Sequence, residues 1–305
     1  MGLDLTVIIL TFNEGKHLER AINSVKSFAK YIYIIDSGSN DETLDIARLQ
    51  GAKIFQNEFI NQAKQFQWAI DHTPINTEWV MRLDADEIIE NDLASELMRR
   101  LPNLDSDVSG IILDRKHIFM DKWIRHGGRY PLSMLRVWRH GRARVEDRWM
   151  DEHIIVSGGR MIGVKGGFSD HNLNDLTYFI EKHNKYATRE AIDVILKKLN
   201  LVSGQEKLNL NNLSFFTGAK RWVKESVYNR LPFGLGPLFY FIFRYILQLG
   251  FMDGKSGFIY HFLQGYWYRL LVEAKVCEFE KYLDSFDSLE KKIHELSIIS
   301  GYKLD

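Results

Sequence analysis

Short apolar runs that each end in a polar or acidic cluster, with helix-spaced stretches between them, constrain this chain more than any other feature. Leu5-Thr6-Val7-Ile8-Ile9-Leu10 is a β-branched run read as a buried strand. A loop with Asn13, Glu14 and Gly15 follows, then Leu18, Ala21, Ile22 and Val25 at helical spacing. Tyr31 to Ile35 predicts a second strand, ending at Asp36 and a Ser-Gly-Ser-Asn loop. Thr43 to Leu49 opens a helix, Lys53-Ile54-Phe55 is a third short strand, and Gln62 to Ile70 reads as helix. Trp79 to Leu83 is a further strand ending at Asp84. Strand–helix units of this size imply a mostly parallel sheet covered by helices. In such sheets ligands sit beyond the carboxyl ends of the strands. The clusters at 11–14, 36–41 and 84–87 fall at that edge.

From about 105 to 170 the pattern changes to short runs with turns, such as Gly110 to Leu113 and Met134 to Trp138. A helix is expected to begin near Asn174 as N-cap and to run through Tyr178, Tyr186 and Ala191 towards Leu199. The polar, Asn-rich stretch 200–212 marks a boundary, giving a catalytic domain over 1–205 and a helical region over 206–305. Leu231 to Phe251 reads LPFGLGPLFYFIFRYILQLGF, long enough to span a bilayer by count. It also holds Pro232, Pro237, Arg244 and Gln248, and an arginine at mid-span is costly. With Lys220, Arg221, Lys224 and Arg230 ahead of it, the segment predicts an amphipathic helix lying in the interface of an anionic membrane. A buried core helix is the plainer alternative.

Composition narrows the partners. Lys and Arg together number 40 and so do Asp and Glu, so no basic field exists for wrapping nucleic acid. The one cysteine, Cys277, excludes an internal disulfide framework and a multi-cysteine zinc site. Its helical setting predicts a buried or inert thiol. Met1-Gly2-Leu3-Asp4 has no basic secretory n-region. The reading is a cytoplasmic protein, peripheral on the inner face of the plasma membrane.

Leu83-Asp84-Ala85-Asp86-Glu87 carries the strongest chemistry. Two carboxylates one residue apart at a strand end can share a hard divalent cation that phosphate oxygens also hold. Such a cation assists departure of a diphosphate as a Lewis acid. A carboxylate at position 36 can accept a base imide N–H, and the Ser/Gly loop beside it offers backbone N–H groups. Any one of these clusters alone reads equally well as a cap or turn. Three at successive strand ends point to a ligand.

Together these motifs resemble those of the inverting glycosyltransferases of family 2, which have the GT-A fold: a Rossmann-like mixed, mostly parallel α/β sheet flanked by helices. The nearest likeness is to the bacterial branch that builds lipopolysaccharide cores and capsular polysaccharides, including Gly250-Phe251-Met252-Asp253-Gly254. The resemblance implies a nucleotide-sugar donor, usually a UDP-sugar, and Mn²⁺ or Mg²⁺ as cofactor. It implies that Thr11, Asn13 and Glu14 line the nucleotide pocket and that Asp36 contacts the base. Asp84, with Ala85, would meet the ribose or metal region, and Asp86 would ligate the cation. Many relatives carry Arg-Asn where this chain has Phe66-Gln67, which leaves Gln67 and Lys64 as substitutes. Trp149-Met150-Asp151-Glu152-His153 supplies an acidic pair where family members place the base that deprotonates the acceptor hydroxyl, with Glu152 first and Asp151 second. His171 stands where several relatives complete the metal sphere, and neutral imidazole suits Mn²⁺ better than Mg²⁺. Arg125-His126-Gly127-Gly128-Arg129-Tyr130 reads by default as a solvated loop, with a wall of the acceptor or pyrophosphate site as the functional alternative, since an arginine there can pair with phosphate. The implied acceptor is a lipid-linked or cell-surface glycan at a membrane surface.

Two rival readings make different demands. A nucleotidyltransferase calls for a Gly-rich, basic loop after the first strand, where this chain has Thr-Phe-Asn-Glu. A non-catalytic membrane scaffold would keep its role without Asp86.

Overall fold

The computed structural model describes residues 2–146, 153–199, 201 and 232–304. The described residues form two compact units, Met1–Leu173 and Asn174–Asp305. The division falls before the long helix, not after residue 205.

The first unit opens with β1 (Leu3–Thr11), α1 (Gly15–Val25), β2 (Ala29–Asp36), α2 (Thr43–Leu49), β3 (Lys53–Gln56), α3 (Gln62–His72) and β4 (Trp79–Arg82). It continues with β5 (Glu87–Ile89), α4 (Asn91–Arg100), β6 (Val108–Phe119), β7 (Lys122–Ile124), β8 (Leu132–Arg139), β9 (Ala143–Val145), β10 (Ile154–Val156) and β11 (Arg160–His171). Nine strands form one sheet in the order β3-β2-β1-β4-β8-β6-β11-β5, with β7 on β6. Leu5 to Ile9 of β1 are all buried because both faces of the strand are covered there. Leu5, Val7 and Ile9 pack with Leu18, Ala21, Ile22 and Val25 of α1. Ile8 packs on the other face with Ala63, Phe66 and Ala69 of α3. Each such fully buried aliphatic side chain contributes about 1.5–3 kcal/mol relative to exposure.

The expectation of a mostly parallel sheet holds only in part. β3, β2, β1 and β4 are parallel, and so are β6 and β11, but β8 runs antiparallel to both β4 and β6, and β5 antiparallel to β11. Past α4 the chain turns by tight connections where a parallel pairing needs a long crossover. Between β6 and β7 the turn uses Met120 and Asp121, both at positive φ (51° and 57°), the conformation of a two-residue hairpin. The α4 helix itself has no counterpart among the expected elements.

β11 carries the irregularity that matters most for the site. Its register on β6 shifts between Val164 and Phe168. Gly166, at φ +144°, lies so close to α4 that a Cβ there would sit 2.6 Å from the Leu93 Cα. The neighbouring Gly167 N–H donates to Asp92 Oδ1 at 3.0 Å, and its carbonyl accepts from the Glu90 N–H. The bulge kinks the strand, and residues 168–170 beyond it pair with β5, which carries β11 to the turn after β4.

The second unit holds α5 (Leu176–Lys198), α6 (Leu235–Ile242), α7 (Gly254–His261), α8 (Tyr268–Leu283) and α9 (Leu289–Ser300). Asp175, rather than Asn174, caps α5 by accepting from the Tyr178 N–H at 2.9 Å. Ala187, Ala191, Ile192 and Ile195 of α5 pack against Tyr268, Val272, Val276, Phe279 and Leu283 of α8. That shared stripe groups α5 with the C-terminal helices. Cys277 lies exposed on α8, which corrects the expectation of a buried thiol. The single interfacial helix expected over 231–251 is also absent from the described part of that range. α6 passes into a π-helical turn at Phe243–Leu247, and Leu249 takes the left-handed conformation (φ 61°).

Gly166→Ala is expected to destabilise the fold by about 3 kcal/mol or more, through backbone strain and overpacking against α4. Gly163→Ala on the same strand, where nothing stands within 4 Å of the added carbon, is expected to be neutral. Urea unfolding of the pair checks this; equal midpoints would show that the bulge does not depend on Gly166.

Candidate active site

Three loops converge at the carboxyl ends of β1, β2 and β4. The first two are stitched together by side chain–backbone hydrogen bonds. The Asn13 N–H donates to Ser39 Oγ (2.9 Å), the Asn40 N–H to Asn13 Oδ1 (2.9 Å), the Glu14 N–H to Thr43 Oγ1 (2.7 Å) and the Gly15 N–H to Asp41 Oδ2 (3.0 Å). Asn13 sits at φ 56°, a conformation asparagine tolerates well. Asp36 is fully buried. Its carboxylate accepts from Thr11 Oγ1 (3.0 Å), Ser39 Oγ (2.5 Å) and the N–H groups of Gly38 and Ser39 (both 2.9 Å). A carboxylate has about four acceptor positions, and here the loop fills them.

The Asp84-Ala85-Asp86 turn rests on buried guanidinium groups from three strands. Arg82 Nε of β4 donates to Asp84 Oδ1 at 3.0 Å. Arg136 Nη2 of β8 reaches Asp84 Oδ2 at 3.2 Å and Glu87 Oε1 at 2.5 Å. Arg115 Nη1 of β6 lies 3.4 Å from Glu87 Oε1 and 3.6 Å from Asp170 Oδ2. The Asp84 N–H donates to Glu87 Oε2 at 2.9 Å, closing the turn on itself. Burial works against the Asp84 anion, but Arg82 and Arg136 outweigh it and hold its carboxyl well below the usual range. Glu87 is pushed upward by burial, while Arg136 and Arg115 pull the other way.

Asp86 points to a different neighbourhood. Its backbone oxygen accepts from the His171 N–H at 3.0 Å, and its Oδ2 accepts from Asn172 Nδ2 at 3.0 Å. His171 Nδ1 stands 3.3 Å from Arg20 Nη1, and Arg20 Nη2 donates to the His171 carbonyl at 2.7 Å. Arg20 has no acceptor capacity, so Nδ1 accepts and Nε2 carries the proton towards Asp121 Oδ1, 3.1 Å away. One turn earlier on α1, His17 Nε2 accepts from the Leu173 N–H (2.9 Å) and its Nδ1 donates to Glu14 Oε2 (2.7 Å). Glu14, His17 and Arg20 follow at three-residue steps, so one face of α1 meets residues 171–173.

The fold thus brings Thr11, Asn13, Glu14 and Asp36 together in one pair of loops, and Asp84, Ala85, Asp86 and His171 at the adjoining turn. Gln67 faces elsewhere: its Oε1 accepts from the Val145 N–H at 2.8 Å, and Phe66 beside it is core. Asp151 and Glu152 lie outside the described residues. The strands β9 and β10 on either side of them pair antiparallel, Val145 opposite Ile154. In the 125–130 segment, Arg125 lies over the Trp123 ring at 5.4 Å and Tyr130 meets the same ring edge-on. Sequence reasoning missed Arg20, His17, Arg82, Arg115 and Arg136. The Glu14–His17–Arg20 spacing was a readable signal, whereas the strand arginines carried none.

Among the described residues no three His, Cys, Asp or Glu side chains form a ready-made metal cage. The donor chemistry still fits a hard cation. A carboxylate and an imidazole stand on segments joined by a backbone hydrogen bond, and Mg²⁺-type sites commonly take one or two protein ligands and complete the sphere with phosphate and water.

A mixed sheet with an acidic turn after β4 and helices on both faces is GT-A-like. The model of glycosyl transferase family 2 matches residues 6–170, more than half of the sequence, and the chain belongs to that family. Curated relatives include an uncharacterized glycosyltransferase of Rickettsia bellii (strain RML369-C), 36% identical over 93 residues, and one of Rickettsia felis (strain ATCC VR-1525 / URRWXCal2), 33% identical over 93 residues. Each match covers 30% of this chain and only about a third (31% and 32%) of the relative. Among solved structures, mannosyl-3-phosphoglycerate synthase from Rubrobacter xylanophilus is 14% identical with a TM-score of 0.42, over 70% of this chain and 80% of that one. Glucosyl-3-phosphoglycerate synthase from Mycobacterium tuberculosis, crystallised with Mn²⁺, UDP and glucosyl-3-phosphoglycerate, is 17% identical with a TM-score of 0.31, over 37% and 44%. At these TM-scores the likeness carries no inference about substrate.

Arg136→Ala leaves Glu87 and part of Asp84 buried without their cation and is expected to cost about 3–5 kcal/mol. Arg99→Ala, at a surface pair with Glu96 on α4, is expected to cost far less. Denaturant midpoints of both variants decide it; similar losses would mean that the network under the turn is dispensable.

Proposed function

We propose that the chain transfers a sugar, with inversion, from a nucleotide-sugar to a hydroxyl of a lipid-linked or cell-surface glycan, with a UDP-sugar as donor. The observation that carries this is the junction of the Asp84-Ala85-Asp86 turn with His171 and Asn172, beside the loops that hold Asp36 and Glu14. Family membership supports the reaction class. The motif resemblance supports uridine and the lipopolysaccharide or capsule setting.

Each residue then has a task. Asp36 accepts the imide N–H of the base, exchanging a hydroxyl of Thr11 or Ser39 for it. Asn13 and Glu14 hold the loop that lines the nucleotide. Asp84, pinned by two arginines, faces the ribose with Ala85. Asp86 and His171 hold Mn²⁺ or Mg²⁺; when bound, the cation offsets charge developing on the departing diphosphate. Asn172 orients the Asp86 carboxylate, and Asp121, accepting from the Nε2–H, orients the imidazole as outer partners of metal ligands do. Nδ1 would exchange Arg20 for the cation, while Arg20 keeps its bond to the His171 carbonyl. Glu152, or Asp151 in its place, takes the proton of the attacking hydroxyl. The acceptor is met at the inner face of the plasma membrane, where the protein sits peripherally through its C-terminal region. The apolar stretch after basic residues at 220–230 supports that location.

Nucleotide release from a panel of UDP-, GDP- and dTDP-sugars, with Mn²⁺, Mg²⁺ or EDTA, tests the reading. One UDP-sugar is expected to be hydrolysed only with metal, and Asp86→Ala to slow this about a hundredfold or more. Metal-independent release, unchanged in the variant, would overturn it. In transfer assays with acceptor, Glu152→Gln is expected to lower kcat by about 10²–10⁴-fold. If Asp151→Asn shows that loss instead, the base is Asp151.

A further inference from the structure

The second unit places an apolar elbow on its surface. The arms Leu235–Leu247 and Gly250–Leu283 are bent by 71° at a short break, and only together are they long and apolar enough to cross a membrane, which no single helix among the described residues is. Around the break, Phe243, Ile246, Leu247, Leu249, Phe251 and Met252 are each 46–69% exposed. On the first arm the exposed apolar residues Leu235, Leu238, Phe239, Ile242 and Ile246 recur at helical spacing, one apolar face of the kind an interfacial helix lays on a bilayer. Exposed apolar residues continue past the break at Leu249, Phe251 and Met252. From Leu235 to Met252 the sequence has one charge, Arg244.

Three polar groups are turned inward, while Gln248 is half-buried and Lys255, past the vertex, is exposed. Arg244, Asp253 and His261 are 4%, 3% and 0% exposed. The Arg244 guanidinium lies over Tyr240 at 5.5 Å and over Tyr260 at 5.9 Å. Two glycines allow this closure. A Cβ on Gly250 would stand 2.7 Å from the His261 ring and 2.9 Å from the Arg244 carbonyl oxygen, and one on Gly257 would stand 2.5 Å from the Asp253 Cβ. Phe241 and Tyr245 of the first arm meet Phe258 of the second with ring centroids 6.3 and 5.5 Å apart. An arginine that would be costly facing lipid is thereby kept inside protein, as buried charges at membrane depth are.

We propose that this elbow is a re-entrant membrane anchor: its vertex, residues 243–252, enters the acyl region of one leaflet of an anionic bilayer, and the chain leaves on the side it entered. The inference deepens the membrane reading given above and rests on it. Two observations fix the same-side exit. The first arm rises only about 20 Å at 1.5 Å per residue, short of the ~30 Å hydrocarbon core. The Gly234 N–H, just before that arm, donates to Glu273 Oε2 at 2.8 Å, so the chain stands level with α8 on both sides of the vertex. Charge favours lipid over a second copy as occupant, because Lys220, Arg221, Lys224 and Arg230 lead into the elbow, and basic residues beside an inserted segment match anionic headgroups.

The test uses the full chain with Cys277→Ser and a single fluorescent label at Met252→Cys, Phe233→Cys or Ser288→Cys, added to preformed vesicles of phosphatidylethanolamine and phosphatidylglycerol. The Met252 label is expected to be quenched by acyl-chain spin labels, and both flanking labels to stay open to a quencher that cannot cross the bilayer. Leu247→Asp with Phe251→Asp is expected to weaken binding to these vesicles about tenfold or more. Protection of one flank only would mean a crossing, overturning the re-entrant anchor while leaving membrane binding intact. A Met252 label without quenching in vesicle-bound protein would overturn the anchor alone. If the protein does not sediment with the vesicles and instead dimerises through the elbow, both the anchor and the membrane reading fail.

Discussion

The first unit depends on holding an acidic turn rigid at the end of β4. Neighbouring strands contribute to this from beneath: Arg82 from β4 itself, Arg136 from β8 and Arg115 from β6. Burying Arg136 and Glu87 at 2% and 1% side-chain exposure removes both from water, and such a pair roughly breaks even against its desolvation cost. Its yield is therefore positional. Each guanidinium is a planar fork with fixed donor directions, so the turn has little freedom once Asp84 and Glu87 are engaged. Asp86, the residue between them, is left facing His171 and Asn172.

The same division of labour runs through the neighbouring loops. Asp36 is saturated by its own loop and by Thr11, and the β1–α1 and β2–α2 loops hold each other by four side chain–backbone bonds. Backbone N–H groups that would otherwise need water are thus satisfied before any ligand arrives. On the far side, β11 reaches the turn because Gly166 and Gly167 let α4 approach closely enough to bend it. Arg20 and His17 then fasten residues 171–173 to α1. A site assembled from four separated segments stays in register because each is tied to a neighbour, not to a ligand.

The early strands and helices were legible because β1, β2 and β4 are buried on both faces and the helices between them are amphipathic, so period and composition agree. Thr11, Asn13, Glu14, Asp36, Asp84 and Asp86 were legible because strand ends are where such sheets present polar groups. The mixed half was not: β8 runs antiparallel to β4 and β6 while β11 runs parallel to β6, these strands mix apolar with charged residues, and the β6–β7 turn at Met120-Asp121 carries no glycine. Arg82, Arg115 and Arg136 look like solvent-facing positions on a half-buried strand until the acids they meet, up to 55 positions away in sequence, are brought beside them. The break at residues 248–249 was hidden for the opposite reason. The apolar run is continuous, and only the packing of Gly250 and Gly257 shows that it bends.

Arg136 and Arg244 are two buried arginines in different settings. Arg136 is matched by carboxylates, so its charge is neutralised locally and its direction is fixed by hydrogen bonds. The Arg244 guanidinium lies over the rings of Tyr240 and Tyr260, whose quadrupoles attract a cation. The first arrangement suits a turn that must hold its shape. The second keeps a charge out of an apolar outer surface. An apolar run interrupted by one arginine therefore does not have to choose between core and membrane. A bend that turns the arginine inward lets the same residues form a protein seam on one side and an apolar surface on the other.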